Sequence, residues 1–563
     1  MYIVAADGSG DYASIQAAVD AVPEGKRATI VVRAGEYRER VIVNRDRVRI
    51  VGEDRDRTVI THSACARDRD AEGKEKGTFL SFSMLITGHG VEIENLTVRN
   101  DAGDGRDAGQ AVAVYAAGDR GVMRSCRLIA HQDTLFCGPV MPKVLREILP
   151  RTAGTAECVE SVGDCPATRS RWYFENCFIQ GDVDFIFGPY RCWFECCWLH
   201  MNARGGFYTA ANTPGDQPFG FVFHDCRLTG ECGPGQAYLG RPWRKYARTV
   251  FLKCEMDECV APAGFSDWDA ERTVTARYGE YASRGARADL TPRHPGEKRL
   301  TEAEGEGITA EKVLGGEDRW RPKERVPTWY LCGDSTMADY PASRAPMAGW
   351  GQALPALTEG AHVENCAVNG RSSKSFLDEM RLHCIELCLR RGDRLVVSFS
   401  HNDEKADPLR HTDPDTTFPA CLDRYIDAAR RAGAEPILAT PVPRRYFAEG
   451  RLIPTHGAYP DAMRALAKRR GVRLADLERR AMRAFQALGE EGTKKVFCHV
   501  PAGDRNYPDG LRDDSHLQWR GAALVARLFL EALEDPGTAE ETPDAGAGPA
   551  PGELIAREDD VMK

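Results

Sequence analysis

YFENCFIQGDVDFIFGPYRCWFECCWLH, residues 173–200, carries one phrase twice: aromatic residues, a glutamate, a small or polar residue, a cysteine, and an apolar residue two places later. The phrase recurs outward in both directions as VEIENLTV (91–98), VMRSCRLI (122–129), FVFHDCRL (221–228) and VFLKCEMD (250–257). A short strand at each recurrence, with alternation of period two and little helical periodicity between, predicts the stacked coils of a parallel β-helix. Cys126, Cys177, Cys197, Cys226 and Cys254 then hold equivalent inward positions, followed by Leu128, Ile179, Leu199, Leu228 and Met256, so the thiols stack as a ladder. A metal site is the weaker reading of these cysteines, since no Cys-x-x-Cys pairing accompanies them and a free buried cysteine packs as a small hydrophobe.

The length of 563 residues exceeds what one core usually serves, so two domains are expected. Charged and glycine-dotted residues from about 295 to 325 mark the boundary. The expected parts are a β-helix over 1–325, a second domain over 326–537, and a disordered tail over 538–563, where Pro, Gly, Ala, Glu and Asp prevail. In the second domain the strands RLVVSFS and EPILATPV alternate with the amphipathic stretches FPACLDRYIDAARRAG and AYPDAMRALAKRRG, which predicts a parallel sheet covered by helices.

Composition narrows the function class. With 42% hydrophobic and 28% charged residues and no long apolar run, no membrane partner is expected. The net charge of -9 argues against nucleic acid, and an acidic polysaccharide would need local cations. The 19 cysteines, an odd number scattered over a large chain, read as reduced thiols. The start lacks the basic and apolar regions of a secretory signal, so a cytoplasmic location is expected, with secretion after signal removal as the alternative. Neither a metal nor another cofactor is expected, there being no H-E-x-x-H, no clustered ligands and no phosphate-binding glycine loop. Oligomeric state is not legible.

Polar residues in apolar, strand-like stretches carry the chemistry, because a buried carboxylate is costly unless paired or used. Asp133 lies in HQDTLFC (131–137) and Asp184 in GDVDFIFG (181–188). Such surroundings raise a carboxyl's pKa unless a cation is near, and Arg241 in YLGRPW (238–243) is the candidate cation. Taken alone, each aspartate reads more readily as a structural carboxylate, and the conjunction with Gln110, Gln132 and Arg241 reverses that. In family order, DYASIQAAVDAVP, AGEYRERV, GQAVAV, QDTLF, GDVDFIFG and LGRPW resemble the pectin methylesterase family across nearly all of 1–325. The resemblance implies a right-handed parallel β-helix with a groove, and hydrolysis of galacturonic acid methyl esters in pectin or pectic oligosaccharides. It further implies Asp184 as nucleophile, Asp133 as general acid and then base, Gln110 and Gln132 as oxyanion donors, and Arg241 holding Asp184 charged. Trp243 reads either as packing or as a platform for the sugar ring, and Trp268 has no assigned role. A departure from the family is the turn-rich stretch 138–170 between the two aspartates, expected to be a loop beside the groove.

In the second domain, TWYLCGDSTMADY (328–340) reads as a strand running into Ser335 at the head of a helix, the geometry of an exposed nucleophile. Asp513 stands three residues before His516 in YPDGLRDDSHLQWRGA, so the carboxylate can orient the imidazole. GDSTMA (333–338), NCAVNGRSSKSF (365–376), FSHNDEKADP (399–408) and TPVPRRYF (440–447), followed by Asp-x-x-His, resemble the SGNH or GDSL hydrolases, and within them the rhamnogalacturonan acetylesterases. That resemblance implies an α/β three-layer, flavodoxin-like domain and a Ser335–His516–Asp513 triad. The oxyanion hole would comprise the Ser335 and Gly370 amides and the Asn402 side chain. Ser400 departs from the glycine usual before His-Asn-Asp. His401 reads as a hydrogen-bond partner behind the site, and His411 and His456 as surface or structural.

The sequence thus reads as a two-headed esterase. One alternative is an acetylesterase carrying a catalytically silent β-helix that binds pectin. Another, a lyase or polygalacturonase on the same fold, lacks the calcium-binding carboxylate cluster a lyase would want near Asp184.

Overall fold

The computed structural model describes residues 1–147, 170–287 and 293–534. Most of the 138–170 departure and the tail expected over 538–563 therefore lie outside the described residues. The chain divides into two compact units, Tyr2–Glu324 and, with Met1, the residues from Arg325 onward.

The first unit is a parallel β-helix whose coils build three sheets of 11, 8 and 7 strands among the described residues. One coil runs through Gly121–Arg124, Arg127–Ile129 and Leu135–Cys137, and the next through Arg171–Glu175, Phe178–Gly181 and Ile186–Gly188. Each repeated phrase, expected to be one strand, is two strands meeting at a corner. The residue before the ladder cysteine makes that corner by taking a left-handed backbone: Ser125 (φ 53), Asn176 (52), Cys196 (51), Asp225 (51) and Lys253 (56). The ladder survives the bend, because Ser125 N–H donates to Glu175 O (2.9 Å) and Asn176 N–H to Glu195 O (3.0 Å) on the next coil. Short polar side chains tolerate this conformation best, which explains the Asn, Asp and Ser in the phrase.

Inside, like residues stack on like. Phe174, Phe194, Phe223 and Phe251 lie in register with centroids 4.6, 4.4 and 4.7 Å apart and nearly parallel, stacked rings. The five ladder cysteines are buried, and burial pushes the Cys126, Cys197 and Cys226 thiols well above their ordinary value, which leaves them as inert packing. Helix Ile15–Ala21 buries Ile15, Ala18 and Val19 against this core. Glu39 closes its N-terminus, accepting from Ser14 Oγ (2.9 Å), Ile15 N–H (2.8 Å) and Gln16 N–H (3.0 Å). Two distant motifs, DYASIQAAV and AGEYRER, are thereby one contact.

The stretch read as a boundary is structured over much of its length. Helices Glu302–Glu306 and Ala310–Leu314 follow the strand Glu297–Arg299, and Ala310, Val313 and Leu314 cover Val122, Tyr173, Trp193 and Val222 on the outer face of the 11-stranded sheet. The capping box of Thr301 and Glu304 starts the first helix and was visible in the sequence as T-E-A-E.

The second unit has a five-stranded parallel sheet in the order His362–Asn365, Thr328–Gly333, Arg394–Ser398, Glu435–Ala439, Arg473–Ala475. This 2-1-3-4-5 order is the flavodoxin-like arrangement, with its switch point between the first and third strands. Trp329 and Leu331 face the core shared with helix Trp519–Glu534, while Tyr330 points to the other side, its hydroxyl donating to Cys388 O. Helices Thr417–Arg431 and Tyr459–Arg470 form where the amphipathic stretches predicted them. Among the described residues no helix is long and apolar enough to cross a membrane.

Candidate active sites

The carboxylates of the first unit are brought together by register. Leu135 pairs with Ile186 across adjacent coils, and each candidate aspartate lies two residues earlier, so Asp133 and Asp184 are separated by one coil spacing of about 4.8 Å in the backbone. Asp133 N–H donates to Val183 O (3.1 Å), carrying the ladder through. Both aspartates have left-handed backbones, φ 68 and 53, the conformation that also turns the coil corners and that short polar side chains tolerate best.

Arg241 enters two coils further on, in register with Ala210, and reaches back to Asp184. The pair is bidentate, Nε to Oδ1 at 2.9 Å and a terminal nitrogen to Oδ2 at 2.7 Å. Its guanidinium lies between two aromatic faces, 4.1 Å from the Phe207 centroid and 4.0 Å from that of Trp268. Neither ring was singled out by sequence reasoning. Phe207 could have been found only by counting coils, and Trp268, left without a role, lies beyond the last repeated phrase.

Burial drives both carboxyls upward, to different extents. For Asp133 burial comes first, the charge of Asp184 adds to it, and Arg241 opposes without bonding; the result lies well above the ordinary value. For Asp184 burial also comes first, but the Arg241 hydrogen bonds and charge oppose it, leaving a smaller rise. Arg241 acts on Asp184 in the expected direction, lowering its carboxyl, while burial sets the net direction upward. Asp184 ionises first and Asp133 keeps its proton longer, the division of labour an acid and a nucleophile require.

Gln110 and Gln132 form a bridge on successive coils, and Ala111 N–H donates to Gln132 O (3.0 Å). Gln132 lies against the Asp133 carboxyl. Gly105 packs so closely on it that a Cβ there would come within 2.9 Å of the Gln132 Cβ. Trp243 packs by its edge on Phe187, centroids 5.7 Å apart, and carries Arg244 over its face at 5.1 Å. The described start of the 138–170 departure is a short helix, Pro142–Glu147, with Val140, Met141 and Val144 buried against Tyr115 and Phe136.

In the second unit His516 Nε2 is 2.9 Å from Ser335 Oγ and Nδ1 is 2.7 Å from Asp513 Oδ2. With the Nδ1 proton directed at the carboxylate, Nε2 accepts from the serine hydroxyl. Burial alone would raise the Asp513 carboxyl, but hydrogen bonds from the His516 ring and amide and the Ser515 amide bring it down to about 2. No helix begins at Ser335. Residues 335–337 form a turn, Met337 and Ala338 N–H donating to Asp334 O, and the next α-helix starts at Trp350.

Gly370 has a φ of 79, which only glycine adopts without strain, and the space where its Cβ would stand is open. Asn402 is buried, its amide donating to Arg371 O (3.0 Å), which ties it to the loop holding Gly370. Ser400 lies outside the left-handed region, so glycine is not required there, and its hydroxyl bonds Glu404. His401 is buried 3.4 Å from Asp334, the neighbour of Ser335, and His456 is buried between Glu404 and Val442 O. His411 is exposed. Sequence reasoning missed Arg445, inside TPVPRRYF: nearly buried, it bonds Asp514 Oδ1 (3.0 Å), Thr493 Oγ1 (3.1 Å) and Glu490 O (2.8 Å), clamping the strand that carries the triad acid.

With this geometry in hand, two family models match the chain. The pectinesterase family model matches residues 1–140 and 165–317, and that of the GDSL-like lipase/acylhydrolase family matches 331–524. Rhamnogalacturonan acetylesterase RhgT of Bacillus subtilis (strain 168) is 43% identical over 211 residues, which span 37% of this chain and 90% of that protein. Pectinesterase QRT1 of Arabidopsis thaliana is 32% identical over 332 residues, 56% of this chain and 78% of that one. Among solved structures, the pectin methylesterase from carrot is 31% identical, covering 56% of this chain and 93% of its own, with a TM-score of 0.47.

Proposed function

The chain belongs to the pectinesterase family over its first unit and to the GDSL-like acylhydrolases over its second, and from that premise we propose a two-site carboxylic ester hydrolase acting on pectin. At the first site Asp184 attacks the carbonyl carbon of a galacturonic acid methyl ester. Gln110 and Gln132 donate to the oxyanion, and Asp133 gives its proton to the departing methoxide, which leaves as methanol. Asp133, now a carboxylate, takes a proton from water, whose oxygen displaces Asp184 and frees the acid. The observation that carries this is the bidentate Arg241–Asp184 pair beside Asp133, whose carboxyl burial and the Asp184 charge push well above its ordinary value. At the second site Ser335 attacks an acetyl carbonyl, His516 takes the hydroxyl proton and returns it to the sugar oxygen, Asp513 fixes the imidazole, and the Ser335 and Gly370 amides with Asn402 receive the oxyanion. Trp243 is proposed as a contact for the galacturonan chain.

The deciding experiment measures methanol and acetate released from acetylated, methylated pectin by wild type, Asp184→Asn and Ser335→Ala. Each variant is expected to lose one product and keep the other. Unchanged methanol release by Asp184→Asn would establish the silent binding module instead, and unsaturated products would establish a lyase.

A further inference from the structure

Next to the first site lies a titratable pair that the mechanism above does not use. Asp182 is completely buried two residues before Asp184, and its Oδ2 lies 3.1 Å from Nδ1 of His131, two residues before Asp133. The backbones are joined as well, Asp182 N–H donating to His131 O (2.9 Å), while Asp182 Oδ1 accepts the Val183 N–H at 2.7 Å. The pair therefore spans the two coils that carry the candidate carboxylates, one step along each strand path.

The surroundings are specific. Asn202 holds the imidazole edge, its amide nitrogen 3.2 Å from Ala130 O and 3.4 Å from His131 Nδ1, and is itself fixed by Gln180 Nε2 at 2.7 Å from its oxygen. Asp104 and Arg204 face His131 from two loops, Arg204 being 3.9 Å from Asp104, which also pairs with Arg106 at 2.8 Å. Arg106 and Asp133 are the other charged groups that sense Asp182. One side of His131 remains open to solvent, so it exchanges protons while Asp182 does not meet water.

We propose that His131 and Asp182 are positioning residues that set the charge beside Asp133, the buried Asp182 anion holding the proton on the general acid and His131 grading that anion by its own protonation. The inference rests on the assignment of Asp133 as acid. The hydrogen bond to Asp182 raises the His131 pKa above its ordinary value, against the effect of burial. Below that pKa the pair is neutral overall and Asp133 yields its proton more readily. Above it the Asp182 charge stands uncompensated, and the proton is held to higher pH, extending methyl-ester hydrolysis into the alkaline range.

The two partners then have different effects, which a merely structural pair would not. The pH dependence of kcat/KM for methanol release would be measured for wild type, Asp182→Asn, His131→Gln and Asp133→Asn. Asp182→Asn should move the alkaline limb about one pH unit lower, whereas His131→Gln, in which the anion is uncompensated at every pH, should leave that limb where neutral His131 leaves it in wild type. An Asp182→Asn limb that stays in place, or a His131→Gln limb that falls, overturns the proposal. If the buried amide prevents folding, His131→Gln decides alone, a falling limb overturning the proposal and an unmoved one supporting it. Undiminished methanol release by Asp133→Asn would instead overturn the assignment of the acid.

Discussion

The two candidate sites reach the same task by opposite routes. In the β-helix, Asp133, Asp184 and Arg241 are far apart in sequence, Arg241 and Asp184 by 57 residues, and meet because coils stack in register. In the α/β unit, Asp513 and His516 are three residues apart and need one long closure, across 181 residues, to meet Ser335. The first site is a property of the scaffold's period, the second of a local motif delivered to a sheet's switch point. Their electrostatics differ in the same sense. The β-helix buries its acids until one keeps its proton, whereas the α/β unit surrounds Asp513 with donors so that it keeps its charge.

That contrast can be tested in order of effect. Asp513→Asn should lower acetate release by about 10⁴-fold, because the imidazole loses its required tautomer, with methanol release untouched in the same assay. Arg241→Lys should lower methanol release by roughly 100-fold, since an ammonium can neither bond Asp184 twice nor lie flat between Phe207 and Trp268. Trp268→Ala, which removes one of those faces, should cost about 10-fold by the same measurement. Acidification separates the heads further: Asp513, with its pKa near 2, stays ionised through any practical assay, so acetate release should owe no acid limb above pH 4 to that residue.

The smallest effect concerns stability. Glu297, buried against Glu280, has its carboxyl raised to about 8, by burial first and then by the neighbouring charge. A folded-state pKa above the unfolded one means that the protonated group favours folding at low pH, and that this contribution is lost as pH rises from the unfolded value toward 8. Melting followed by circular dichroism at pH 5 and pH 9 should show Glu297→Gln losing less than wild type, a difference of about 2 °C. The transition of the α/β unit should not change.

Legibility followed the same division. The repeated phrase disclosed the β-helix because strand alternation and the ladder cysteine are local, and Asp133, Asp184 and Arg241 stood out as charges in apolar runs. The corners did not show, since a left-handed Cys196 or Lys253 looks like any other residue in a strand. Phe207 and Trp268 escaped because their partner lies in another coil. Helix capping at Thr301 was legible but obscured by glycine and charge, whereas the turn at Ser335, closed by the Met337 and Ala338 N–H groups on Asp334 O, has no mark in the motif that sets it apart from a helix start. Arg445 escaped for a different reason: its target, Asp514, is meaningful only once the strand Leu511–Leu517 is in place.

The intact pairing of Leu135 with Ile186 bears on how such a chain can change over evolutionary time. The polypeptide departs after Cys137 and resumes as a strand at Arg171, yet the coils on either side remain hydrogen-bonded neighbours. Whatever is spliced into that gap is thermodynamically cheap, because loop closure grows only logarithmically with length while the rungs are zipped elsewhere. Insertion or deletion at this point can therefore accumulate without disturbing the spacing of the two carboxylates.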